Sequence, residues 1–207
     1  MNNILNVLVT DEMRVMSTTF DDDALVYPNC ITLTSPEDIM RVLSYFSFNP
    51  TITGIPEVSL YVDKNIDGVY TIIEKPNVTI KKQRKIESFS AACSAQCISG
   101  VTITVNGIER LYPTSMLDQQ NLAASVTASY NPSNDNDWSV VIWCQNTTTG
   151  EWELSDHSTD QVRMVGEAVL RHVETQRRKL RDLVNQINQI TSEPTQDNVD
   201  LVNSINW

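Results

Sequence analysis

Four cysteines and two histidines are the side chains of this chain that are best suited to metal binding. Cys144, His157 and Asp160 together would supply the thiolate, imidazole and carboxylate ligands that Zn²⁺ prefers. Cys93 and Cys97 are spaced i and i+4, so a helix would place both thiols on one face, where they could hold a metal ion. Neither set has the paired C-x-x-C or H-x-x-x-H spacing of a metal site. We therefore predict no metal and no cofactor. We assign His157 to a capping or core-edge role at a helix start and the two thiols to a buried apolar face.

Motifs for nucleophilic or phosphate chemistry are not found in the sequence. It contains no G-x-S-x-G, no P-loop and no G-x-G-x-x-G, and its six glycines are assigned to turns, except for Gly166 in a helix. The acidic run Asp21–Asp23 is typical of a solvated turn and not of a catalytic site. The chain is therefore predicted not to be an enzyme.

Tryptophan side chains could form an aromatic platform for a sugar ring, and the chain has four: Trp138, Trp143, Trp152 and Trp207. Trp143 and Trp152 flank one predicted hairpin, where aromatic pairs are ordinary packing. We therefore predict that these two residues form the core of the hairpin together with Cys144. A glycan-binding module that acts on a host surface is kept as a remote alternative.

The chain is acidic, because 15 Lys and Arg residues against 26 Asp and Glu residues give it a net charge of −11. Nucleic acids and anionic membrane surfaces bind clustered Lys and Arg, so neither is expected as a partner. Residues 1–80 carry 11 acids and 4 bases, which places most of the net charge in the N-terminal part. The densest basic run, Lys81–Lys85, is interpreted as a linker that pairs with an acidic neighbour.

Membrane and secretion signals are not indicated either. No apolar run approaches the roughly 20 residues that span a bilayer, so no membrane insertion is expected. The segment Ile4–Val9 has no basic region before it and is interrupted by Asn6, so we interpret it as a strand and not as a signal peptide. The cysteines are too few and too scattered for a disulfide scaffold, which predicts reduced thiols and synthesis in a cytosol.

A predicted α+β fold positions these side chains, beginning with a small strand-rich domain with one helix in residues 1–80. A hydroxyl cap, a proline and two acids in Thr34–Asp38 predict the start of that helix, which ends before Asn49. Alternating apolar residues on both sides of the turn Asn65–Gly68 predict a β-hairpin. With 41% apolar residues, the chain can bury a substantial core.

Residues 81–157 are predicted to form an α+β module, which the last helix completes in the order α-β-β-α-β-β-α. The dipeptide Asn106-Gly107 is the strongest short-range signal for a hairpin. Ser115, with Asp118 three residues later, opens a helix that Pro132 stops.

Residues 158–207 are predicted to form one long helix, followed by a short return helix after Pro194. Ser158 and Gln161 fit a capping box at its start. A helix of about 30 residues, about 45 Å long, exceeds what a compact small domain needs to cover itself. Two explanations of its apolar stripe are left open: several copies associate as a coiled coil with one stutter near Val169, or the return helix folds back on the stripe. The stripe, which is the predicted oligomer or partner interface, consists of Val162, Val165, Val169, Val173, Gln176, Leu180, Leu183, Ile187 and Ile190.

The C-terminal part also carries a set of residues that suggests a family. These residues are Tyr112-Pro113, Asp118–Leu122, Asp137-Trp138, Trp143-Cys144, Trp152, His157, Gln161-Val162 and Val165-Gly166. As a set they resemble a domain of unknown function that is common in the tail proteins of tailed bacteriophages, where it occurs in tail-fibre-associated and fibre-assembly proteins. The resemblance covers residues 81–207, and residues 1–80 resemble no family that we can name.

The resemblance implies an interaction module without catalytic residues or cofactor. We therefore expect a structural protein of a phage virion, at the tail, baseplate or fibre attachment, that is made in the bacterial host cytoplasm. Residues 1–80 would dock on another virion protein, and the long helix would associate with other copies or with a fibre. The expected partners are other tail or fibre proteins and a second copy of the chain in a homo-oligomer. The alternative is a tail-fibre assembly chaperone that is not retained in the virion.

Overall fold

The structure is a computed structural model that describes residues 5–11, 13–19, 29–47, 58–131 and 137–207. Within these ranges it contains five helices and three antiparallel sheets, which confirms the predicted α+β class. The chain divides into two compact units, of which the first is Met1–Lys85 with Asn188–Ile205 and the second is Ile86–Ile187 with Asn206–Trp207. Among the described helices, none is both long and apolar enough to cross a membrane.

The first unit contains a three-stranded sheet, a helix and a two-stranded hairpin. Its first six elements are β1 (Leu5–Val9), β2 (Val15–Thr19), β3 (Cys30–Leu33), α1 (Pro36–Ser47), β4 (Val58–Lys64) and β5 (Tyr70–Pro76). Strand β1 lies between β2 and β3 and pairs antiparallel with both. Because β1 is central, it is almost wholly buried, and Leu5 and Val7 pack in one core with Val42 of α1 and with Leu60 and Ile72 of the hairpin.

Helix α1 confirms the predicted helix start and shows what its first turn contacts. The Ser35 hydroxyl accepts a hydrogen bond from the Asp38 backbone N–H at 3.4 Å. The buried Asp38 carboxylate accepts from the Ile72 backbone N–H at 3.2 Å, and the Arg41 guanidinium donates to the Ile72 carbonyl at 2.8 Å. The first turn of α1 is therefore tied to strand β5 as well as capped.

The predicted hairpin of β4 and β5 is confirmed with full antiparallel pairing. The Asn65 side-chain oxygen accepts hydrogen bonds from the backbone N–H groups of Asp67 at 3.0 Å and Val69 at 2.9 Å, which stabilises the turn locally. The predicted acidic run Asp21–Asp23 and the predicted helix end before Asn49 lie outside the described residues.

The second unit is built on a four-stranded antiparallel sheet in the order β6-β7-β8-β9. The remaining elements of the chain are α2 (Val78–Cys97), β6 (Val101–Val105), β7 (Ile108–Tyr112), α3 (Met116–Ser129), β8 (Ser139–Asn146), β9 (Trp152–Ser158), α4 (Thr159–Gln189) and α5 (Gln196–Ser204). Of these, α5 and the first part of α2 belong to the first unit. The predicted order α-β-β-α-β-β-α is confirmed, and so is a short helix after Pro194. Asn106 and Gly107, both at positive φ, form the predicted turn between β6 and β7. Pro132, the predicted stop of α3, lies outside the described ranges.

The basic run Lys81–Lys85 lies inside α2, so its interpretation as a linker is wrong. Lys82 Nζ donates to the carbonyl of Ile190 at 2.8 Å, just beyond the end of α4, and Lys85 Nζ donates to the carbonyl of Asn203 at 3.3 Å, in the last turn of α5. Carbonyl groups at helix C-termini lack intrahelical partners and carry partial negative charge. Within the first unit these two ammonium groups therefore bind carbonyl groups at helix ends.

Helix α4 has the predicted start and length. The Gln161 half of the predicted capping box is present, because its side-chain oxygen accepts from the Ser158 backbone N–H at 2.9 Å. Val165 and Val169 pack on one face of the four-stranded sheet, which we call the inner face, together with Tyr112 of β7. The buried residues of α4 are Val162, Val165, Val169, Val173, Leu183 and Ile187, whereas Gln176, Leu180 and Ile190 are half-buried. The chain itself covers most of the stripe, and assembly of several copies through the stripe remains a prediction.

The second unit also joins α2 to α4 through the last residue of the chain. The Trp207 ring lies 6.1 Å from the Phe89 ring of α2, between ring centroids, and Lys179 Nζ of α4 lies 4.7 Å from the Trp207 centroid. Further along, His172 of α4 bonds the Gln96 carbonyl at 2.7 Å. These contacts join α2 to α4 within the second unit.

Replacement of Leu183 by Asp tests the importance of the stripe for folding. Leu183 is 9% exposed, so the new carboxylate would lose hydration without a partner, and we expect the free energy of unfolding to fall by at least about 3 kcal/mol. Urea denaturation followed by circular dichroism measures the change. Leu201→Asp is the matched control, because Leu201 is 53% exposed and its replacement should cost less than about 0.5 kcal/mol. Equal stability of the two variants would contradict the assignment of Leu183 to the core.

Candidate functional site

The three residues that were considered as zinc ligands and rejected, Cys144, His157 and Asp160, are not grouped in the described structure. His157 is fully buried on the inner face, and both of its ring nitrogens are occupied: Nε2 lies 2.8 Å from the Tyr112 hydroxyl and Nδ1 lies 2.7 Å from the Ser155 carbonyl. Asp160 is instead exposed at the start of α4, with a carboxylate oxygen 3.8 Å from Arg163. Among the described residues no group of three or more His, Cys, Asp and Glu side chains is arranged to hold a metal.

The hydrogen bonds of His157 define its protonation state. A carbonyl oxygen only accepts, so Nδ1 carries the proton toward Ser155, and Nε2 then accepts from the Tyr112 hydroxyl. Burial lowers the pKa of His157 and raises the pKa of Tyr112 well above its usual value. The two side chains are therefore a neutral, fully satisfied pair inside the core, where they orient β7 and β9 and are screened from water.

A second buried polar contact lies beside this pair. The Arg110 guanidinium contacts the Glu153 carboxylate and lies 3.4 Å from the Cys144 sulfur. Cys144 is fully buried, and only 11% of the Arg110 side chain is exposed. In the part of the chain that the structure describes, every buried side-chain nitrogen or oxygen has a hydrogen-bond partner. The inner face thus presents no unpaired polar group toward a substrate.

Cys93 and Cys97 lie on one face of α2, as predicted, with their sulfur atoms 4.0 Å apart. Burial raises the pKa of the Cys93 thiol, and the neighbouring Cys97 sulfur raises it further. A thiol with a raised pKa remains protonated at neutral pH, and the thiolate is the form that binds metals and attacks electrophiles. The arrangement therefore fits apolar packing of two reduced cysteines.

Trp143 and Trp152 lie on the opposite face of the sheet, the outer face, which corrects the prediction that they form the hairpin core. Their side chains are 47% and 41% exposed, and the rings stack with centroids 5.8 Å apart and planes inclined by 14°. Successive residues of a strand point to opposite faces, so Cys144 takes the core position under α4 and Trp143 faces outward. Because each ring covers one face of the other, the pair is not a flat open platform for a sugar.

Helix α3 is the least embedded element of the second unit. Its start is the predicted capping box, in which the Ser115 hydroxyl accepts from the Asp118 N–H at 3.3 Å and the Asp118 carboxylate accepts from the Ser115 N–H at 3.0 Å. Its one buried side chain is Ser129. There the Arg163 guanidinium of α4 donates to the Ser129 hydroxyl at 3.1 Å and to the carbonyl at 2.6 Å, and stacks 4.0 Å over the Tyr130 ring.

Close contact between α3 and α4 occurs where α4 has a glycine. A Cβ atom at Gly166 would lie 2.5 Å from Cγ2 of Val126 on α3, so no other residue fits without displacement. Two openings, a groove and a smaller cavity, flank α3. A groove of about 830 Å³ between α3 and α4 is lined by Leu122, Val126, Tyr130, Met164, Leu170 and Val173, among others.

A smaller cavity of about 230 Å³ lies on the other side of α3, toward strands β8 and β9. Leu122 lines this cavity as well as the groove, and Val141, Trp143 and Leu154 form its strand side. Sequence reasoning missed both openings. The signal that could have indicated them is the composition of α3, in which apolar and small residues are distributed around the whole helix without a single apolar stripe.

The described part of the second unit is thus an α+β module whose buried polar side chains have hydrogen-bond partners and whose openings around α3 are lined largely by apolar residues. Residues 80–203 match the family described as Domain of unknown function (DUF4376), which covers more than half of the chain. The chain therefore belongs to the DUF4376 family. No curated protein and no solved structure matches it.

The crossing of α3 and α4 gives a first test of the site. Gly166→Ala would improve intrinsic helix propensity by about 1 kcal/mol, but its methyl group overlaps the stiff side chain of Val126, so we expect a net loss of about 1 to 3 kcal/mol of stability. Val126→Ala in the same chain removes the overlap and should recover part of that loss. Chemical denaturation of both single variants and the double variant measures the coupling. Additive effects of the two substitutions would contradict close contact at this crossing.

Acid titration tests the neutral state of His157. Its folded pKa lies below the unfolded value of about 6.5, so its contribution to stability is fully present above about pH 6.5 and decreases as the pH falls below that value. His157→Gln removes this titration, and the variant should lose less stability than the wild type between about pH 7 and pH 5. Urea denaturation at several pH values gives both curves. Parallel curves would show that His157 is not the group responsible.

Proposed function

We propose that this protein is a structural component of a tailed-bacteriophage virion, at the tail, baseplate or fibre attachment, that acts by docking on other tail proteins and on copies of itself. The observation that carries the proposal is the character of the second unit, whose described residues bury satisfied polar groups and expose apolar grooves around α3. Proteins that work by association present such surfaces. The phage setting rests on the residue pattern within 81–207, which resembles a domain of phage tail proteins.

The two parts of the chain would make different kinds of contact with their partners. Residues 1–80 carry 11 acids and 4 bases, so this part is suited to a basic surface on a neighbouring tail protein. The second unit would make the apolar contacts. A tail-fibre assembly chaperone is the alternative, because an apolar groove also suits a client that is later released. A host-surface glycan-binding module stays a remote alternative, since Trp143 and Trp152 are exposed but cover each other.

Composition of purified particles tests the virion assignment. A virion component should co-purify with intact particles through a density gradient and a high-salt wash, at a fixed ratio to a tail protein. Quantitative mass spectrometry of the gradient fractions and of the infected-cell lysate measures that ratio. A non-structural protein encoded by the same phage serves as the control for carry-over.

The amount of the protein in purified particles, compared with its amount in the lysate, distinguishes a virion component from a chaperone. Abundance in the lysate with absence from particles would overturn the virion assignment and favour the chaperone. If the protein is in neither the particles nor complexes with fibre proteins, both association roles fail. Binding of the purified protein to a glycan array, lost in Trp152→Ala with folding intact, would favour the host-surface alternative.

A further inference from the structure

Exposed apolar side chains are concentrated around α3. Helix α3, the groove side of α4 and the outer face of β8 and β9 together form a surface that we call the α3 face. Its large exposed apolar residues, each between 41% and 67% exposed, are Met116, Leu117, Tyr130, Val141, Trp143, Trp152, Leu154, Met164 and Leu170.

Seven of these side chains are connected through the two openings or through a ring contact, and Met116 and Leu117 lie in the first turn of α3. Tyr130, Met164 and Leu170 line the groove on one side of α3, and Val141, Trp143 and Leu154 line the cavity on the other side. Leu122 of α3 lines both openings and so connects them, and the Trp152 ring stacks on Trp143. Every residue of the α3 face belongs to the second unit.

The apolar area of the α3 face is large for the surface of a monomer. At about 200 Å² for a large side chain, of which roughly half is exposed, nine such residues offer on the order of 900 Å². The largest apolar patch on a typical monomer is about 300 to 600 Å². A stable interface needs about 800 Å² from each partner, so the α3 face has the area of one side of such an interface.

The charges of the α3 face favour a copy of the same chain as the partner. The chain has a net charge of −11, so two copies repel each other wherever their acidic surfaces meet. The charged residues that line the two openings are Asp118, Asp160, Glu167, Arg163 and Arg177.

Two of the three acidic groups are paired with an arginine. The Asp118 carboxylate belongs to the capping box, Asp160 lies 3.8 Å from Arg163, and Glu167 pairs with Arg171. The centre of the surface is therefore apolar and its border carries both signs. With three acids and two arginines the lining residues have a net charge of only −1, so a strongly basic or acidic partner would gain little there and an identical surface meets little repulsion.

We propose that the α3 face is an isologous interface, on which α3 and its two flanking openings of one copy pack against the same surface of a second copy. In a two-fold contact the same residues serve both sides, which a nearly neutral apolar surface permits. The inference rests on the self-association in the proposed function. It places the contact on the α3 face and not on the α4 stripe, because most of the stripe is covered within one chain.

Sedimentation velocity of the full chain over a wide range of concentration tests the proposal. We expect the wild type to form a dimer in reversible equilibrium with the monomer. Leu117→Glu, Leu154→Glu and Leu170→Glu each place a charge on a different element of the surface, and each should weaken dimerisation about tenfold or more. Their exposure of 65%, 67% and 61% makes folding of the variants the expected outcome, which circular dichroism checks.

Leu201→Glu is the matched control. Leu201 is 53% exposed on α5, in the first unit, so it has the same residue type and similar exposure outside the α3 face. Its dimerisation constant should equal that of the wild type. Hydrogen exchange tests the same interface in the wild-type protein. The backbone amides of α3 should exchange more slowly as the protein concentration rises, while the exchange rates of the α1 amides should not change.

These outcomes bear on self-association and leave presence in the virion to be decided separately. A monomer at every concentration, or a dimer that none of the three α3-face variants weakens, overturns the isologous interface. A dimer that Leu201→Glu weakens as much as the others also overturns it, because the effect would then be nonspecific. None of these results touches the virion assignment, which depends on particle composition, and loss from particles would leave a dimer through the α3 face standing.

Discussion

The packing of α4 on one face of the four-stranded sheet is the constraint on which the second unit depends. Val165 and Val169 cover the inner face, and a single helix layer covers one face of a sheet and not the other. Everything polar beneath α4 must therefore find a partner inside the core, as Tyr112 and His157 do. Everything apolar on the outer face, including Trp143, stays accessible to water or to a partner.

Local signals in the sequence were sufficient for much of the fold. The cap at Ser35, the capping box at Ser115 and the side chain of Gln161 each act over three or four residues, and the structure shows all three. The Asn106-Gly107 turn is local in the same sense, because positive φ is demanded by the two-residue connection itself. Interactions of this range are encoded by neighbouring residues and can be recognised without tertiary information.

The candidate site depends on tertiary packing that no local signal in the sequence encodes. Trp143 and Cys144 are adjacent and point to opposite faces, and only the position of α4 decides which of them is buried. Cross-strand aromatic pairing does not tell the two faces of a hairpin apart, so the prediction that both tryptophans share the hairpin core with Cys144 failed for the tryptophans. The basic run Lys81–Lys85 is similar, because its role depends on carbonyl groups more than 100 residues away, at 108 and 118 positions for two of its lysines.

The ammonium contacts of Lys82 and Lys85 have a consequence for biosynthesis. The first unit includes Asn188–Ile205, so its two chain segments are separated by residues Ile86–Ile187 of the second unit. Contacts of such sequence separation form late, because a long loop must close before they stabilise anything. During translation the N-terminal sheet can form early, but the first unit is completed only after the ribosome has synthesised the last helix. A nascent chain thus retains an incomplete first unit until Asn188–Ile205 has been synthesised.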